Sequence, residues 1–314
     1  MIQFKVAAFY EFIKVSDLSS LSQSLKSLCT QNKIRGSIII ASEGINGTIA
    51  GLPDFTDEFI GYLDNMGFHN LNIKFSQTPN MPFYRSKVKI KKEIVTFSNN
   101  PVNNEVDRAQ HISPKDWNDF VSQKDVIIVD VRNDYETKIG SFKSSVSPDT
   151  RSFVEFKDYI DTELSSNKDQ KIAMYCTGGI RCEKASYYMK EIGFNNLFQL
   201  DGGILKYLEE VDEEDSLWDG ECYVFDNRVS LNKGLQPGIY DLCHGCNEPV
   251  APKDKKSKKY EEDVSCPQCY DNMTEDKKNR SRERSKQIKL SAQRGTSNVY
   301  LPKTAEDYIK EFNL

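Results

Sequence analysis

Hydrophobic and polar positions along the first hundred residues follow strand and helix periods in turn. A β-rich run over Phe4–Tyr10 precedes Asp17, a helix N-cap, after which leucines recur on one helical face. The next patterns predict a two-stranded hairpin over Arg35–Ala41 and Ile45–Ala50. A second helix, capped by Asp54, is predicted over Phe55–Met66, and a fourth strand over Leu71–Phe75. The order βαββαβ predicts a ferredoxin-like domain over residues 1–97, with a further strand over Val88–Phe97.

A polar linker over Ser98–Pro101 leads into a region with a different pattern. Its apolar runs are continuous, as in strands buried on both faces of a parallel sheet, and cover Asp125–Val131, Lys171–Tyr175 and Leu197–Leu200. The second run is followed by a helix that ends at Gly193. Strands alternating with helices predict an α/β domain over residues 110–215, whose functional loops lie at the carboxyl ends of the strands.

The loop after the second of these strands carries candidate chemistry. Its sequence is Cys176-Thr177-Gly178-Gly179-Ile180-Arg181. The glycines allow successive N–H groups to converge on one centre, and the N-terminus of the helix adds a partial positive charge. A cysteine in this position is expected to have a lowered pKa, and Arg181 supplies a fixed charge and a bidentate donor for an anion. The loop therefore predicts a nucleophilic thiolate. The alternative is a structural cysteine at a strand end.

Three motifs of this α/β region resemble the rhodanese family. They are the loop just described, the Asp-Val-Arg-x-x-x-Glu segment Asp130–Glu136, and Asp201–Ile204 followed by Tyr207. The resemblance implies that Cys176 carries a persulfide. We interpret three other residues as a structural network around the loop: Asp130, Arg132 and Glu136.

The remaining cysteines are interpreted through the compartment of the protein. No apolar run approaches the roughly 18 residues of a membrane span, and Met1–Val15 offers no signal-peptide cleavage site, so we expect a cytoplasmic protein without membrane association. In a reducing compartment, cysteines are metal ligands or reactive thiols more often than disulfides. Cys182 is either a resolving thiol for oxidised Cys176 or a small residue in the first helical turn. Cys29 and Cys222 are expected to be packing residues.

Two CxxC pairs near the C-terminus predict a metal site. Nineteen residues separate the pairs, which consist of Cys243, Cys246, Cys266 and Cys269. This spacing is typical of a tetrahedral zinc site, and four thiolates leave no open position for water, so a structural zinc site is predicted. A redox dithiol is the alternative, but neither pair opens a helix in a thioredoxin-like context.

Charge is distributed unevenly along the chain. The net charge of -5 argues against a general nucleic-acid binder. Residues 251–294, however, carry 13 basic and 8 acidic residues, which leaves 29 basic against 39 acidic residues in the rest of the chain. A basic segment beside a zinc site suits RNA phosphates. The alternative is a solvated, partly disordered tail.

Three segments together match one family, and they are Ser42–Thr48, Cys176–Lys184 and Trp218–Asp226. With the domain order, they resemble the bacterial rhodanese-domain tRNA uridine hydroxylases. The resemblance implies an oxidoreductase that uses O₂ to install a 5-hydroxyl group on the wobble uridine of tRNA, with Cys176 as the essential residue. One route would be addition of the Cys176 thiolate to C6 of the uracil, which makes C5 electron-rich.

The sequence leaves the oxygen chemistry and two other functions open. It contains no flavin or haem motif and no two-His-one-carboxylate set, and it does not identify a small-molecule sulfur or oxygen donor. The loop alone favours a persulfide-carrying sulfurtransferase, and a non-catalytic RNA-binding module is the third candidate. The expected fold is a multidomain α/β and α+β protein: ferredoxin-like domain, rhodanese-like parallel-sheet domain, and a Cys-rich segment over residues 216–314 with a zinc knuckle and a basic tail.

Overall fold

The first domain is an α+β sandwich with a single sheet. The computed structural model describes residues 2–98, 101–102, 107–296 and 298–313, so Asn99 and Asn100 of the predicted linker lie outside it. The elements of this domain are β1 Phe4–Phe12, α1 Leu18–Gln31, β2 Arg35–Ala41, β3 Gly44–Gly51, α2 Pro53–Asn65, β4 Asn72–Thr78 and β5 Ser86–Ile90. The sheet order is β4-β1-β3-β2-β5, antiparallel except where β5 joins β2. The predicted ferredoxin-like order βαββαβ is confirmed, with β5 added at the edge.

Three local predictions in this domain have different outcomes. Asp17 caps α1 as predicted and accepts a hydrogen bond from the N–H of Ser20. Asp54 does not cap α2, because Leu52 is the N-cap and Pro53 opens the helix, where the fixed φ of proline suits the first turn. The strand predicted over Val88–Phe97 is wrong beyond Ile90, where β5 ends.

The chain leaves the sheet after β5 because its apolar residues pack elsewhere. Ile94 and Phe97 are both buried, and the ring of Phe97 stacks on Phe153 of the second domain at 4.7 Å between centroids. The carboxylate of Glu93 accepts the N–H groups of Phe97 and Ser98, which fixes the turn. The segment therefore joins two domains instead of extending a strand.

The second domain is built on a four-stranded parallel sheet with the order β6-β10-β9-β7. Its elements are β6 Gln110–Ile112, α3 Pro114–Val121, β7 Val126–Asp130, α4 Asp134–Thr137, β8 Gly140–Phe142, α5 Glu155–Thr162, β9 Lys171–Tyr175, α6 Ile180–Glu191, β10 Leu197–Leu200 and α7 Gly203–Glu210. Apolar cores cover both faces of this sheet. Because the strands are parallel, Asp130, Cys176 and Asp201 follow or end strands at one edge.

The C-terminal segment returns to both domains. Its elements are β11 Trp218–Gly220, β12 Cys222–Tyr223, β13 Ser230–Leu231, β14 Asp241–Leu242, β15 Pro249–Val250, α8 Glu275–Arg294 and α9 Ala305–Phe312. Strand β11 pairs with β8 of the second domain. Helix α9 packs on the first domain, where Tyr308 meets Phe4 edge to face at 5.3 Å.

The basic tail predicted at the C-terminus forms helix α8 over much of its length. Thr274 caps it and Gly295 ends it in a left-handed conformation, so the alternative of a partly disordered tail is wrong for residues 275–294. Within the described part of the chain, no helix combines the length and apolar character that crossing a membrane requires.

Candidate functional site

The thiol of Cys176 lies where β9 turns into α6. Its Sγ accepts a hydrogen bond from the N–H of Gly179 at 3.1 Å. Gly179 is the N-cap of α6 and has a φ of 102°, a left-handed conformation that suits glycine. The N–H of Gly179 is therefore one donor of the predicted cradle around the sulfur.

The environment of Cys176 favours the thiolate over the thiol. Burial alone would raise its pKa, but hydrogen bonds from the thiol and N–H of Cys182, the N–H of Arg181 and the charge of the Arg181 guanidinium lower the pKa to about 5. Burial raises the pKa of Cys182, and the neighbouring Cys176 raises it further. Cys182 thus stays protonated and donates to Cys176.

Arg181 is held by a buried carboxylate. Its two terminal nitrogens donate to the carboxylate of Glu136 at 2.5 and 2.7 Å, and Thr177 donates its hydroxyl to the same carboxylate at 3.2 Å. The Arg181 guanidinium, predicted to bind an anion, is therefore bound by Glu136 in this structure. Arg181 contributes its positive charge to the loop.

The residues interpreted as a network form one. Arg132 is fully buried and donates to Asp130 at 2.9 and 2.6 Å and to the carbonyls of Glu136 and Gly140. Because Glu136 also holds Arg181, this network reaches the thiol loop through a single carboxylate.

The segment after β10 supports the loop from the other side. The N–H groups of Ile204 and Leu205, in the first turn of α7, donate to the carbonyls of Cys176 and Thr177 at 3.0 and 3.1 Å. Gly203 has a φ of 67°, and a Cβ added there would lie 2.6 Å from the carbonyl oxygen of Cys176. Only glycine permits this close approach.

A cleft of about 420 Å³ opens over the thiol loop, with walls from all three parts of the chain. Cys176 itself is 1% exposed and lies beneath the floor, to which Thr177, Gly178 and Ile180 contribute. The opposite wall is the face of the first domain's sheet that α1 and α2 leave uncovered, and it presents Ala8, Tyr10, Ser37, Ile39, Asn46, Thr48, Asn72 and Lys74. Phe225 and Arg228 of the C-terminal segment close one end.

Lys74 crosses from this wall to the loop, and no sequence pattern predicts it there. Its Nζ donates to the carbonyl of Gly178 at 3.1 Å and lies 5.7 Å from the centroid of the Tyr10 ring. Lys74 occupies one of the polar positions of β4. The alternation of side chains along a strand predicts that these positions face solvent. No local pattern reveals that a second domain covers this face.

Comparison with known proteins identifies the family. Two family models match the chain, a UPF0176 acylphosphatase-like domain over residues 4–94 and a rhodanese-like domain over residues 113–210. A relative from Teredinibacter turnerae, named tRNA uridine(34) hydroxylase, is 45% identical over 300 residues, which span 95% of this chain and 94% of the relative. This chain belongs to the tRNA uridine(34) hydroxylase family. The family resemblance of the three sequence segments is confirmed.

Solved structures are also similar to part of this chain. A rhodanese-like domain protein from Staphylococcus aureus is 28% identical and covers 33% of this chain and 93% of its own, with a TM-score of 0.27. A polysulfide-sulfur transferase from Wolinella succinogenes is 24% identical and covers 32% and 74%, with a TM-score of 0.27.

In this member of the tRNA uridine(34) hydroxylase family, the three sequence segments that carry the family resemblance lie close together. They are Ser42–Thr48, Cys176–Lys184 and Trp218–Asp226. Lys184, two residues after Cys182, donates to Glu43 at 2.6 Å and pairs with Glu93 at 2.9 Å, and all three side chains are buried. The ring of Phe225 lies 5.7 Å from the guanidinium of Arg181. The segments therefore form the walls and the domain interface of one site.

The four C-terminal cysteines also come together. Their Sγ atoms lie within 4.8 Å of one another. Three of the sulfur–sulfur separations are 3.8 Å for Cys243–Cys269, 3.7 Å for Cys246–Cys266 and 3.8 Å for Cys266–Cys269. A tetrahedron of sulfurs about 2.3 Å from a central ion has edges of about 3.8 Å. The cluster thus has the donors and the size to hold a metal ion.

Proposed function

We propose that this protein hydroxylates the wobble uridine of tRNA to 5-hydroxyuridine, using O₂ as co-substrate and the Cys176 thiolate as the essential group. The observation that carries the proposal is the 45% identity to a tRNA uridine(34) hydroxylase across 95% of the chain. The geometry supports it, because a thiol with a pKa of about 5 lies beneath the floor of a cleft able to receive a nucleobase.

The chain's own groups suit addition of a thiolate to a pyrimidine. Attack of Cys176 Sγ on C6 of the uracil would make C5 electron-rich and ready to react with an oxygen species. The N–H groups of the loop and the charge of Arg181 stabilise the thiolate before attack. Entry of the base into the cleft would displace water from the reacting atoms.

The test is mass spectrometry of tRNA nucleosides. Unmodified tRNA with uridine 34 is incubated with the protein in air or under nitrogen, and 5-hydroxyuridine is expected only in air. Cys176→Ser should give no product, whereas Cys29→Ser, which changes a thiol in the core of the first domain, should remain active. Full activity of Cys176→Ser would contradict the proposal. Binding of tRNA without any nucleoside change by the wild type would favour the non-catalytic RNA-binding module.

The rhodanese-like domain gives a second candidate, a persulfide-carrying sulfurtransferase. The observation that favours it is the N–H cradle around Cys176, which suits the negative charge of a persulfide. Loading with thiosulfate followed by cyanide would then release thiocyanate in amounts equal to the protein. A hydroxylase that yields 5-hydroxyuridine but no thiocyanate excludes this candidate.

We further propose that the four-cysteine cluster holds structural zinc and that basic helix α8 binds tRNA phosphates in the cytoplasm. Zinc suits four thiolates in a tetrahedron, and the sulfur separations fit that geometry. Helix α8 is anchored on the segment between the cysteine pairs, where Arg282 pairs with Glu261 and Ser285 donates to Asp263. The zinc site would thereby fix the helix.

A further inference from the structure

The first domain places an unusual cation in the cleft. Lys74 is 7% exposed and lines the cleft beside the thiol loop. Within the described part of the chain, no carboxylate lies within ion-pair distance of its Nζ, and the hydrogen bond to the carbonyl of Gly178 uses one of three N–H donors. Buried lysines are ordinarily paired, because an unpaired buried charge costs stability. A buried lysine in a cleft beside a reactive thiol is a candidate functional residue.

The neighbouring carboxylates are engaged elsewhere. Asp201 pairs with Lys206 at 2.6 Å and with His111 at 3.1 Å, and Glu183 pairs with Arg108. Tyr10 approaches the loop so closely that a Cβ on Gly179 would lie 2.9 Å from its hydroxyl oxygen. Two N–H bonds of Lys74 are therefore available to a molecule in the cleft.

We propose that Lys74, supplied by the first domain, is an active-site residue that holds the negative charge formed on a pyrimidine carbonyl oxygen when Cys176 adds to the base. This inference rests on the proposed hydroxylation of uridine. In the addition step, a bond forms between Sγ and C6, the C5–C6 π pair becomes the C4–C5 π bond, and the C4–O4 π pair moves onto O4. Lys74 donates a hydrogen bond to the O4 anion and keeps its proton, and the charge leaves O4 when the C4–O4 double bond forms again.

The protonation state of Lys74 links the step to pH. Burial lowers the pKa of Lys74 from 10.5 to about 8, and this shift is opposed by the negative charges of Asp201, Cys176 and Glu183 and reinforced by the positive charge of Lys206. The groups facing Lys74 are Tyr10 of β1, Cys176 in the loop, Glu183 of α6, and Asp201 and Lys206 after β10. Because the charged lysine is the active form, kcat should fall as the pH rises past about 8.

The experiment compares Lys74→Met, Lys74→Arg and the control Lys26→Met, which removes an exposed lysine from α1. Lys74→Met should lower kcat for tRNA hydroxylation about 100-fold with little change in KM, and it should abolish the alkaline limb of the kcat profile. Lys74→Arg should retain more activity and move that limb to higher pH. Lys26→Met should resemble the wild type.

A second measurement does not depend on hydroxylation. The rate of Cys176 alkylation by iodoacetamide is followed against pH, and Lys74→Met should shift the midpoint upward because a nearby positive charge is removed. A folded Lys74→Met protein with wild-type kcat, or one that keeps the alkaline limb, overturns the proposal while hydroxylation itself stands. If the wild type does not hydroxylate tRNA, the proposed function fails instead, and an unchanged alkylation midpoint then removes Lys74 from the site as well.

Discussion

The reactivity of Cys176 is set by groups within six residues of it in the sequence. A cysteine before two glycines and a helix predicts a lowered pKa, and the N–H of Gly179 and the charge of Arg181 supply the predicted causes. The hydrogen bond from the Cys182 thiol was not predictable, because the spacing does not show which way a thiol points. It gives Cys182 a third role, as a donor that stabilises the neighbouring thiolate.

The first prediction concerns the ionisation of these two thiols. Alkylation of Cys176 by iodoacetamide should rise through a midpoint near pH 5 and reach a plateau by pH 7, because the thiolate is the reactive form. Cys182→Ala should move the midpoint upward, since this variant has no side-chain donor to the thiolate, whereas Cys182→Ser keeps one. Peptide mass spectrometry locates the label, and Cys222, whose pKa burial raises to about 12, serves as the internal control. A midpoint that is unchanged in Cys182→Ala would contradict this role.

The second prediction separates the donor role of Cys182 from a resolving role. Because both thiols are buried and close enough to influence each other's pKa, mild peroxide should convert the pair to a disulfide that is about 2 Da lighter than the dithiol. In Cys182→Ser, the product should instead carry added oxygen on Cys176. Intact-mass measurement gives the result, and the same oxidation product in both proteins would leave Cys182 as a donor alone.

At the scale of elements, the sequence predicts the five strands of the first domain and three of the four strands in the parallel sheet of the second. The bounds of β2, β9 and β10 agree with the predicted ones, because apolar runs closed by turn residues leave little choice. Two of the errors, Asp54 and the end of β5, occur where proline chemistry or packing against another domain decides the outcome. The site wall was missed for the same reason, since β4 shows two faces and the sequence does not show that both are covered.

The third prediction concerns the interface that covers this wall. Lys184→Met leaves Glu43 and Glu93 buried without the cation that pairs with them, and this should lower the free energy of unfolding by about 3–5 kcal/mol. The control Lys138→Met removes an exposed helical ion pair to Asp134 and should cost at most about 0.5 kcal/mol. Urea unfolding measures both. An equal, small decrease in the two variants would show that the interface does not depend on this pair.

For the whole molecule, the segment between the cysteine pairs connects the basic helix to the four-cysteine cluster. The fourth prediction is that the purified protein contains one zinc ion per chain by elemental analysis and that Cys266→Ser loses it. Because α8 is anchored between the cysteine pairs, the absence of zinc should open residues 241–296 to limited proteolysis while the first two domains stay resistant. Cys29→Ser should keep its zinc. Proteolysis that spreads equally through all domains would contradict an anchoring role.

The opposite charges of the body and of residues 251–294 give the last prediction. Within α8, Lys277 and Arg280 are exposed and pair with no carboxylate in the described part of the chain, whereas Arg282 and Lys289 are neutralised by Glu261 and Glu262. The first two are therefore among the cations of α8 that are available to RNA phosphates. Lys277→Glu/Arg280→Glu should weaken tRNA binding and lower the slope of log Kd against log salt by about two, because each of the two side chains no longer neutralises a phosphate.

The control for this prediction has the same change in net charge. Lys115→Glu/Lys124→Glu alters two exposed lysines of the second domain and also makes the chain more negative by four charges. If only net charge mattered, both double variants would weaken binding equally, because they change the net charge by the same amount. Weaker binding confined to the α8 variant locates the RNA interface on the helix. Equal slopes in the two variants would remove α8 from that interface and leave the cleft as the place where tRNA is recognised.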